Sequence, residues 1–292
     1  MYDAIVLVAT SELAIGEARM RSTLLLERAV RGTVIRRDGL AFDTRFAARA
    51  AGRAEPCGHV FLLLDGRFVH DGGVHEAPVA FVLADDEIER VGPKSRTFRT
   101  DGPRVTVIQL RIERKYLRWP IGLPHGPIEV AGWDAARALA EQPAEPGRLA
   151  ALLAALAIPI EIEMEEPERF RRLWGALQPL YTEYGATASI KQLASALGMS
   201  MRQVGRDAKE LASTFGVGDG YRDSLLMLRL RTAVLMLSAE GATVAEVARL
   251  VGYGSPIAMA RAFRDARLPP PSEVQNRLRH PDDRAGPPAL RG

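Results

Sequence analysis

The feature that most constrains this chain is a pattern written twice in its last third. Ile190, Leu193, Ala194, Leu197 and Gly198 return 54 positions later as Val244, Val247, Ala248, Val251 and Gly252. Ser200, Val204, Arg206 and Lys209 return 55 positions later as Ser255, Met259, Arg261 and Arg264, so the second copy has one extra residue in its turn. In each copy, apolar residues three and four apart give a short amphipathic helix, a glycine ends it, and a hydroxyl-bearing residue opens a second helix. A support helix, a tight turn and a second helix with cations on its outer face is the helix-turn-helix arrangement, which lays its second helix in the major groove of DNA. The spacing implies two such units in one chain.

Ser189 and Thr243 are the predicted caps of the support helices, and Ser200 and Ser255 those of the reading helices. In the first reading helix Val204, Ala208 and Leu211 share the inward face, which leaves Arg202, Gln203, Gly205, Arg206 and Lys209 outward. With Ser200 and Met201 of the first turn, these are the candidate DNA contacts of the first unit. Arg and Gln reach base edges with paired hydrogen bonds, and the missing side chain of Gly205 lets backbone approach the groove. In the second unit Met259 and Phe263 face inward, and Ser255, Ile257, Ala258, Ala260, Arg261 and Arg264 are the candidate contacts. Only Arg261 there carries a bidentate donor suited to bases. Ile257 and Ala258 suit thymine methyls, while Lys209 and Arg264 suit phosphates.

The 292 residues leave room for two ordinary cores, and 47% hydrophobic with 26% charged residues is a globular composition. No apolar run reaches the roughly 18–20 residues of a membrane span, and the start lacks a basic signal-peptide head, so the expected location is the cytoplasm. The single Cys57 rules out an internal disulfide and any zinc site built from several cysteines. Charge is unevenly placed: residues 186–292 hold 15 Lys and Arg against 10 Asp and Glu, whereas the rest holds 24 against 26. The basic surplus therefore lies with the duplicated pattern, where counterion release on DNA would use it.

The first 130 or so residues read as strands. Residues 60–64 and 67–70 flank Asp65-Gly66 as a hairpin; further strands are expected at 79–83, 87–91, 96–100 and 105–112, with a turn at Asp101-Gly102-Pro103. Short strands at this spacing suggest a small barrel or sandwich. Residues 5–9 fit an edge strand, and 24–30 read equally as helix or strand. From 131 the period becomes helical: one short helix over 133–141, a breaker, then Leu149, Leu152, Leu153 and Leu156 on one stripe. That stripe suits either a dimer seam or packing on the chain's own barrel. Residues 160–164 alternate like a strand, a helix follows to Tyr184, and the tail from His280 has a disordered composition. Between the two units, residues 224–239 read as one helix of about 24 Å, which can set the reading helices about 34 Å apart, one turn of the duplex.

These residues bring the chain to a family. Residues 186–278 resemble the DNA-binding domain of the AraC/XylS transcriptional regulators, through LASALGMS (193–200), Arg206 and Lys209, LRLRTAVLML (228–237), VGYGS (251–255), RAFR (261–264) and PSE (271–273). The resemblance implies base contacts near Arg202, Gly205 and Arg206 in the first unit and near Ile257, Ala258, Ala260 and Arg261 in the second. It also implies an N-terminal cupin-like domain that binds a small-molecule effector or forms a homodimer, double-stranded DNA as the main partner, RNA polymerase as a further one, and no membrane partner. The family usually carries an aromatic where Ala208 and Met259 stand.

The expected fold class is thus multidomain α+β: a β-rich, cupin-like sensor or dimerisation domain over 1–130, a helical linker over 131–165, an all-α domain with two helix-turn-helix units joined by a long helix over 166–279, and a tail over 280–292. No cofactor, metal or catalytic residue is expected. A cupin-type metalloenzyme would need two His one residue apart with a Glu and a later His, and His59, His70, His75 and Glu76 do not fit that spacing. Repair by alkyl transfer needs cysteines that the chain lacks. A relative that acts through protein partners or by weak non-specific DNA binding remains the main alternative, because the second reading helix is mostly apolar. Trp119, Trp133 and Trp174 are read as packing residues.

Overall fold

A computed structural model describes residues 7–27, 30–43, 46, 57–70, 73–84, 98–116, 130–160, 168–186, 188–215 and 220–280. The expected strands at 87–91 and 160–164, most of the segment 44–56, Trp119 and the tail after His280 lie wholly or largely outside the described residues.

Among the described residues the N-terminal half is one antiparallel sheet of eight strands, curled into a half-barrel. Strands β1 (Leu7–Ile15), β2 (Ala18–Leu26) and β3 (Val30–Asp38) form a meander; β4 is Phe42–Asp43, β5 Cys57–His70, β6 Gly73–Glu76, β7 Val79–Ala84 and β8 Phe98–Glu113. The order is β1-β2-β3-β8-β5-β6, with β4 on β8 and β7 on β5. The strand anticipated at 5–9 is the start of β1, which is an edge as expected but runs on to Ile15. The ambiguity at 24–30 resolves as the end of β2 and the start of β3.

Two turn readings are overturned. Asp65-Gly66 and Asp101-Gly102-Pro103 do not reverse the chain but sit inside the long strands β5 and β8. They lie opposite each other, where the pairing slips from Leu63↔Val107 through Asp65↔Thr106 to Arg67↔Asp101. Gly66 (φ 97) and Gly102 (φ 136) supply the positive φ that the bend requires, and a Cβ on Gly102 would stand 3.4 Å from the Gly66 Cα. Both strands thus bend at one place and keep pairing on either side, as at a β-bulge, and this curls the sheet.

Strand β5 is buried on both faces, which explains its unbroken apolar run at 60–64. Val60 and Leu62, with Leu25, Val34, Ile108 and Leu110, meet two helices, α1 (Val130–Glu141) and α2 (Arg148–Ala155). Phe61 and Leu63 face the other way, with Phe68, Phe81, Leu83, Val105 and Val107. Leu149, Leu152, Leu153 and Leu156 all enter the first of these cores and are at most 4% exposed. The leucine stripe is therefore spent on the chain's own sheet, which removes it as a dimer seam.

Seven more helices follow among the described residues: α3 (Glu168–Thr182), α4 (Ile190–Leu197), α5 (Met201–Thr214), α6 (Tyr221–Leu237), α7 (Val244–Leu250), α8 (Pro256–Asp265) and α9 (Pro271–Arg279). They form two apolar cores that share α6. Phe170, Leu173, Trp174 and Leu177 of α3 meet Leu193 of α4, Val204, Ala208 and Leu211 of α5, and Tyr221 and Leu225 of α6. Leu230, Val234 and Leu237 of α6 meet Val247 of α7, Met259 and Phe263 of α8, and Val274 and Leu278 of α9. Helix α9, absent from the sequence reading, starts with Pro271 in its first turn, where a missing N–H costs nothing. Each core also takes in residues of the N-terminal half: Leu7, Ala9 and Leu26 of the sheet join the first, and Ala18 and Met20 of the sheet, with Leu40 and Phe46 from the segments after β3 and β4, join the second.

Candidate nucleic-acid interface

The two repeated segments fold as helix pairs with matching local chemistry. Ahead of α4, the Ser189 hydroxyl accepts from the Gln192 N–H at 3.2 Å and the Gln192 side chain accepts from the Ser189 N–H at 2.7 Å. Ahead of α7, the Thr243 hydroxyl accepts from the Glu246 N–H at 3.2 Å and the Glu246 carboxylate accepts from the Thr243 N–H at 2.8 Å. Both are capping boxes, which satisfy two otherwise orphaned donors each. The Thr243 bonds and nearby Arg249 hold the Glu246 carboxyl below its ordinary pKa.

The turns match as well. Gly198 ends α4 in the left-handed region (φ 65), and Met199 N–H donates back to the Ala194 carbonyl at 2.9 Å. In the second pair Gly252 (φ 82) takes that place, and Tyr253 N–H donates to the Ala248 carbonyl at 2.8 Å. Ser200 and Ser255 then cap the second helices, accepting from the Gln203 and Ala258 N–H groups at 3.2 and 3.1 Å. The extra residue lies between Gly252 and Ser255.

The helix faces fall as the periodicity requires. Val204, Ala208 and Leu211 in α5, and Met259 and Phe263 in α8, are at most 2% exposed. Met201, Arg202, Arg206 and Lys209 are exposed in α5, and Ile257, Arg261 and Arg264 in α8; Ser200 is exposed too, whereas Gln203, Gly205, Ser255, Ala258 and Ala260 are half-buried. The α8 face is more apolar, with Ile257 67% exposed beside Arg261. Gly205 has a packing reason of its own: a Cβ there would stand 3.2 Å from Ile190 Cδ1, so its hydrogen allows α5 to pass close to α4.

Sequence reasoning missed a polar network on α5. Asp207, with a side chain 2% exposed, accepts from Gln203 Nε2 at 2.6 Å and lies 3.8 Å from the Arg169 guanidinium of α3. Gln203 Oε1 in turn accepts from Arg206 Nη2, and Arg169 also pairs with Glu210 at 2.5 Å. The readable signal was a carboxylate at an inward phase, between Val204 and Leu211.

It also missed the junction at Tyr184. This buried phenol bonds Thr232 of α6 at 2.8 Å and Ser11 of β1 at 3.3 Å, and burial raises its pKa. Its carbonyl oxygen lies where a Cβ on Gly252 would fall, 2.0 Å away. Gln178 of α3 donates to the Val8 carbonyl on the sheet edge, and Ser238 accepts from the Ala41 N–H. One buried tyrosine thus touches the sheet, the shared helix and the turn of the second pair.

Two of the histidines considered for a metal, His59 and His75, have partners of their own. His59 is buried on β5 and bonds Gln109 at 2.9 Å through Nδ1, whereas His75 stands on β6 opposite Phe68 with its ring edge-on to Phe81 at 5.3 Å. Among the described residues no three His, Cys, Asp or Glu side chains are grouped to hold a metal ion. No helix among them is long and apolar enough to cross a membrane.

No family model and no curated protein matches the chain. Solved structures with a similar outline include ToxT from Vibrio cholerae, at 9% identity and a TM-score of 0.38 over 84% of this chain and 98% of that one. A DNA-binding transcriptional dual regulator from Escherichia coli K-12 has 21% identity and a TM-score of 0.30 over 38% of this chain and 99% of that one. The AraC-like transcriptional activator CuxR has 15% identity and a TM-score of 0.21 over 96% and 87%. At these scores the likeness is one of coarse outline.

Proposed function

We propose that this chain is a DNA-binding transcriptional regulator of the AraC/XylS kind, whose two helix-turn-helix units present α5 and α8 to successive major grooves of one duplex. The observation that carries the reading is the doubled local chemistry: the same capping box, left-handed glycine and serine cap occur twice, and each second helix turns cations away from a packed core. Arg202 and Arg206 of α5 and Arg261 of α8 are assigned to base edges, Lys209 and Arg264 to phosphates, and Met201, Ile257, Ala258 and Ala260 to apolar contact with the groove. Ser200 and Ser255 position the helix starts, and Gly205 and Gln203 shape the α5 face.

In this reading residues 1–130 act as a sensor or dimerisation domain, 131–165 as a linker and 166–279 as the reading domain, with a small-molecule effector and RNA polymerase as further partners. A homodimer has to use a face other than the leucine stripe. The apolar face of α8 favours a second reading for that unit alone, in which it anchors and reads shape more than base identity.

The test is selection from a randomised duplex pool by the full chain, followed by binding of the selected duplex over a range of salt. A regulator enriches a defined sequence, and its affinity falls steeply with salt. Arg206→Ala should cost about 1–3 kcal/mol at particular base pairs, whereas Lys209→Ala should weaken all sequences alike and flatten the salt dependence. A chain that enriches nothing is not a sequence-reading regulator.

A further inference from the structure

We propose that Asp207 is a positioning residue that fixes the aim of Arg206 through Gln203, and so sets base preference under the first unit without touching DNA. The inference rests on the DNA-reading function proposed above. Its ground is the order of donors and acceptors along one ridge of α5. Residues 203, 206, 207 and 210 lie three and four apart, on neighbouring turns of one face. Asp207 is closed off from solvent in the edge of the apolar core formed by Val204, Ala208 and Leu211. A carboxylate in such a place needs donors, and it has Gln203 Nε2 at 2.6 Å and the Arg169 guanidinium at 3.8 Å.

The chemistry of the partners leaves Gln203 one orientation. An ionised carboxylate only accepts, so the amide must turn its NH2 towards Asp207. Its oxygen then faces outward, where Arg206 Nη2 donates to it. A guanidinium has five N–H donors, so the bond to Gln203 leaves the others for a base edge while it removes rotamer freedom from a long side chain. Arg169, tied to Glu210 at 2.5 Å and with its guanidinium 4.9 Å from the centre of the Phe170 ring, fixes the inner end of the relay to α3. At the matching place in α8 stands Ala262, so the second unit has no such relay.

The experiment measures, for the full chain, binding to the duplex selected from a random pool and to its single-base variants. The base pair read by Arg206 is the one at which Arg206→Ala flattens preference. Asp207→Asn and Asp207→Ala are expected to lower preference at that base pair by about 3- to 10-fold, a part of what a bidentate contact supplies, with non-specific affinity and its salt dependence unchanged. Gln203→Met, on the half-buried outer side of the ridge, is expected to lower preference at that base pair to the same degree. In an Arg206→Ala background none of the three should change preference further. Unaltered preference in Gln203→Met, or an equal loss with and without Arg206, overturns the inference while leaving the DNA-reading function in place. A wild-type chain that enriches no sequence overturns both.

Discussion

Replacing Gly252 with alanine tests the junction between the two helix pairs, and its twin Gly198 supplies the control. Both glycines occupy the same place in the repeat, and both lie in the left-handed region, at φ 82 and φ 65. For a residue with a Cβ that conformation costs about 1–2 kcal/mol. At Gly198 nothing else lies within 4 Å of the added carbon, so the conformational cost is the whole cost. At Gly252 the carbon would fall 2.0 Å from the Tyr184 carbonyl oxygen and 2.8 Å from its carbon. These are backbone atoms, which cannot swing aside as the end of a side chain can, and contacts under 3.0 Å do not persist, so the chain at Tyr184 must retreat by about 1 Å. Overpacking of this kind adds about 1–3 kcal/mol, and the move strains the Tyr184 bonds to Thr232 and Ser11. Gly252→Ala should therefore cost about 2–5 kcal/mol and lower Tm on the order of 10 °C, against about 1–2 kcal/mol for Gly198→Ala. Thermal denaturation of the two full-length variants, followed by circular dichroism, measures the difference. Equal losses would show that the turn of the second pair does not bear on Tyr184, and the reasoning would fail.

Other outcomes follow from the same contacts. Burial pushes Tyr181 and Tyr253 up to about 12, and Tyr184 in the same direction, so the stability they contribute is whole below the unfolded value near 10 and is lost as pH rises towards 12; a urea midpoint that stays level from pH 9 to 12 would contradict this. Thr243→Ala should cost about 1 kcal/mol at neutral pH. Because the Glu246 pKa is lowered, the carboxylate's part of that capping box fades as pH falls below the ordinary carboxylate range, and the gap between Thr243→Ala and wild type should narrow there, leaving the hydroxyl's bond to the Glu246 N–H. Leu152→Ala, at a fully buried position, should cost about 2–5 kcal/mol and leave the sedimentation coefficient unchanged, whereas dissociation of a dimer would restore the leucine stripe as a seam.

The sequence made some features legible because their causes are local. Caps, turn glycines and inward faces of α4, α5, α7 and α8 depend on residues within four positions of one another, and Ser189, Thr243, Ser200 and Ser255 cap as expected. The meander β1 to β3 was hard to see because its exposed positions alternate with few strong apolar residues, and in β3 Arg36 and Arg37 break the phase, with Arg37 itself buried. The Asp-Gly stretches at 65 and 101 have turn chemistry, yet whether the chain reverses or only bends depends on the partner strand, and here each stretch is the other's partner. Asp207 was passed over because its burial depends on α3, whose Arg169 lies more than thirty residues away in the chain and 3.8 Å from its carboxylate, while only Gln203 is a local partner. Tyr184 and Gly252 are 68 positions apart, and no periodicity joins them.

The placement of the sheet bears on how the two units act together. The sequence divides into a strand-rich domain, a linker and a helical domain, but the apolar cores do not divide at those bounds. Leu7, Ala9 and Leu26 complete the core around α3, α4 and α5, and Ala18, Met20, Leu40 and Phe46 complete the one around α7, α8 and α9. All seven belong to the first three strands or the segment just after them. Polar contacts reach both sides too: Gln178 bonds Val8, Ser238 accepts from Ala41, and Tyr184, bonded to Ser11, also reaches the turn of the second pair. A ligand can shift an equilibrium only by contacts that differ between two states, and here one hairpin makes contacts with both units at once. A shift of β1 and β2 would therefore be felt in both cores, and in the reading proposed above it would bear on the separation of α5 and α8 that two consecutive grooves of a duplex would measure.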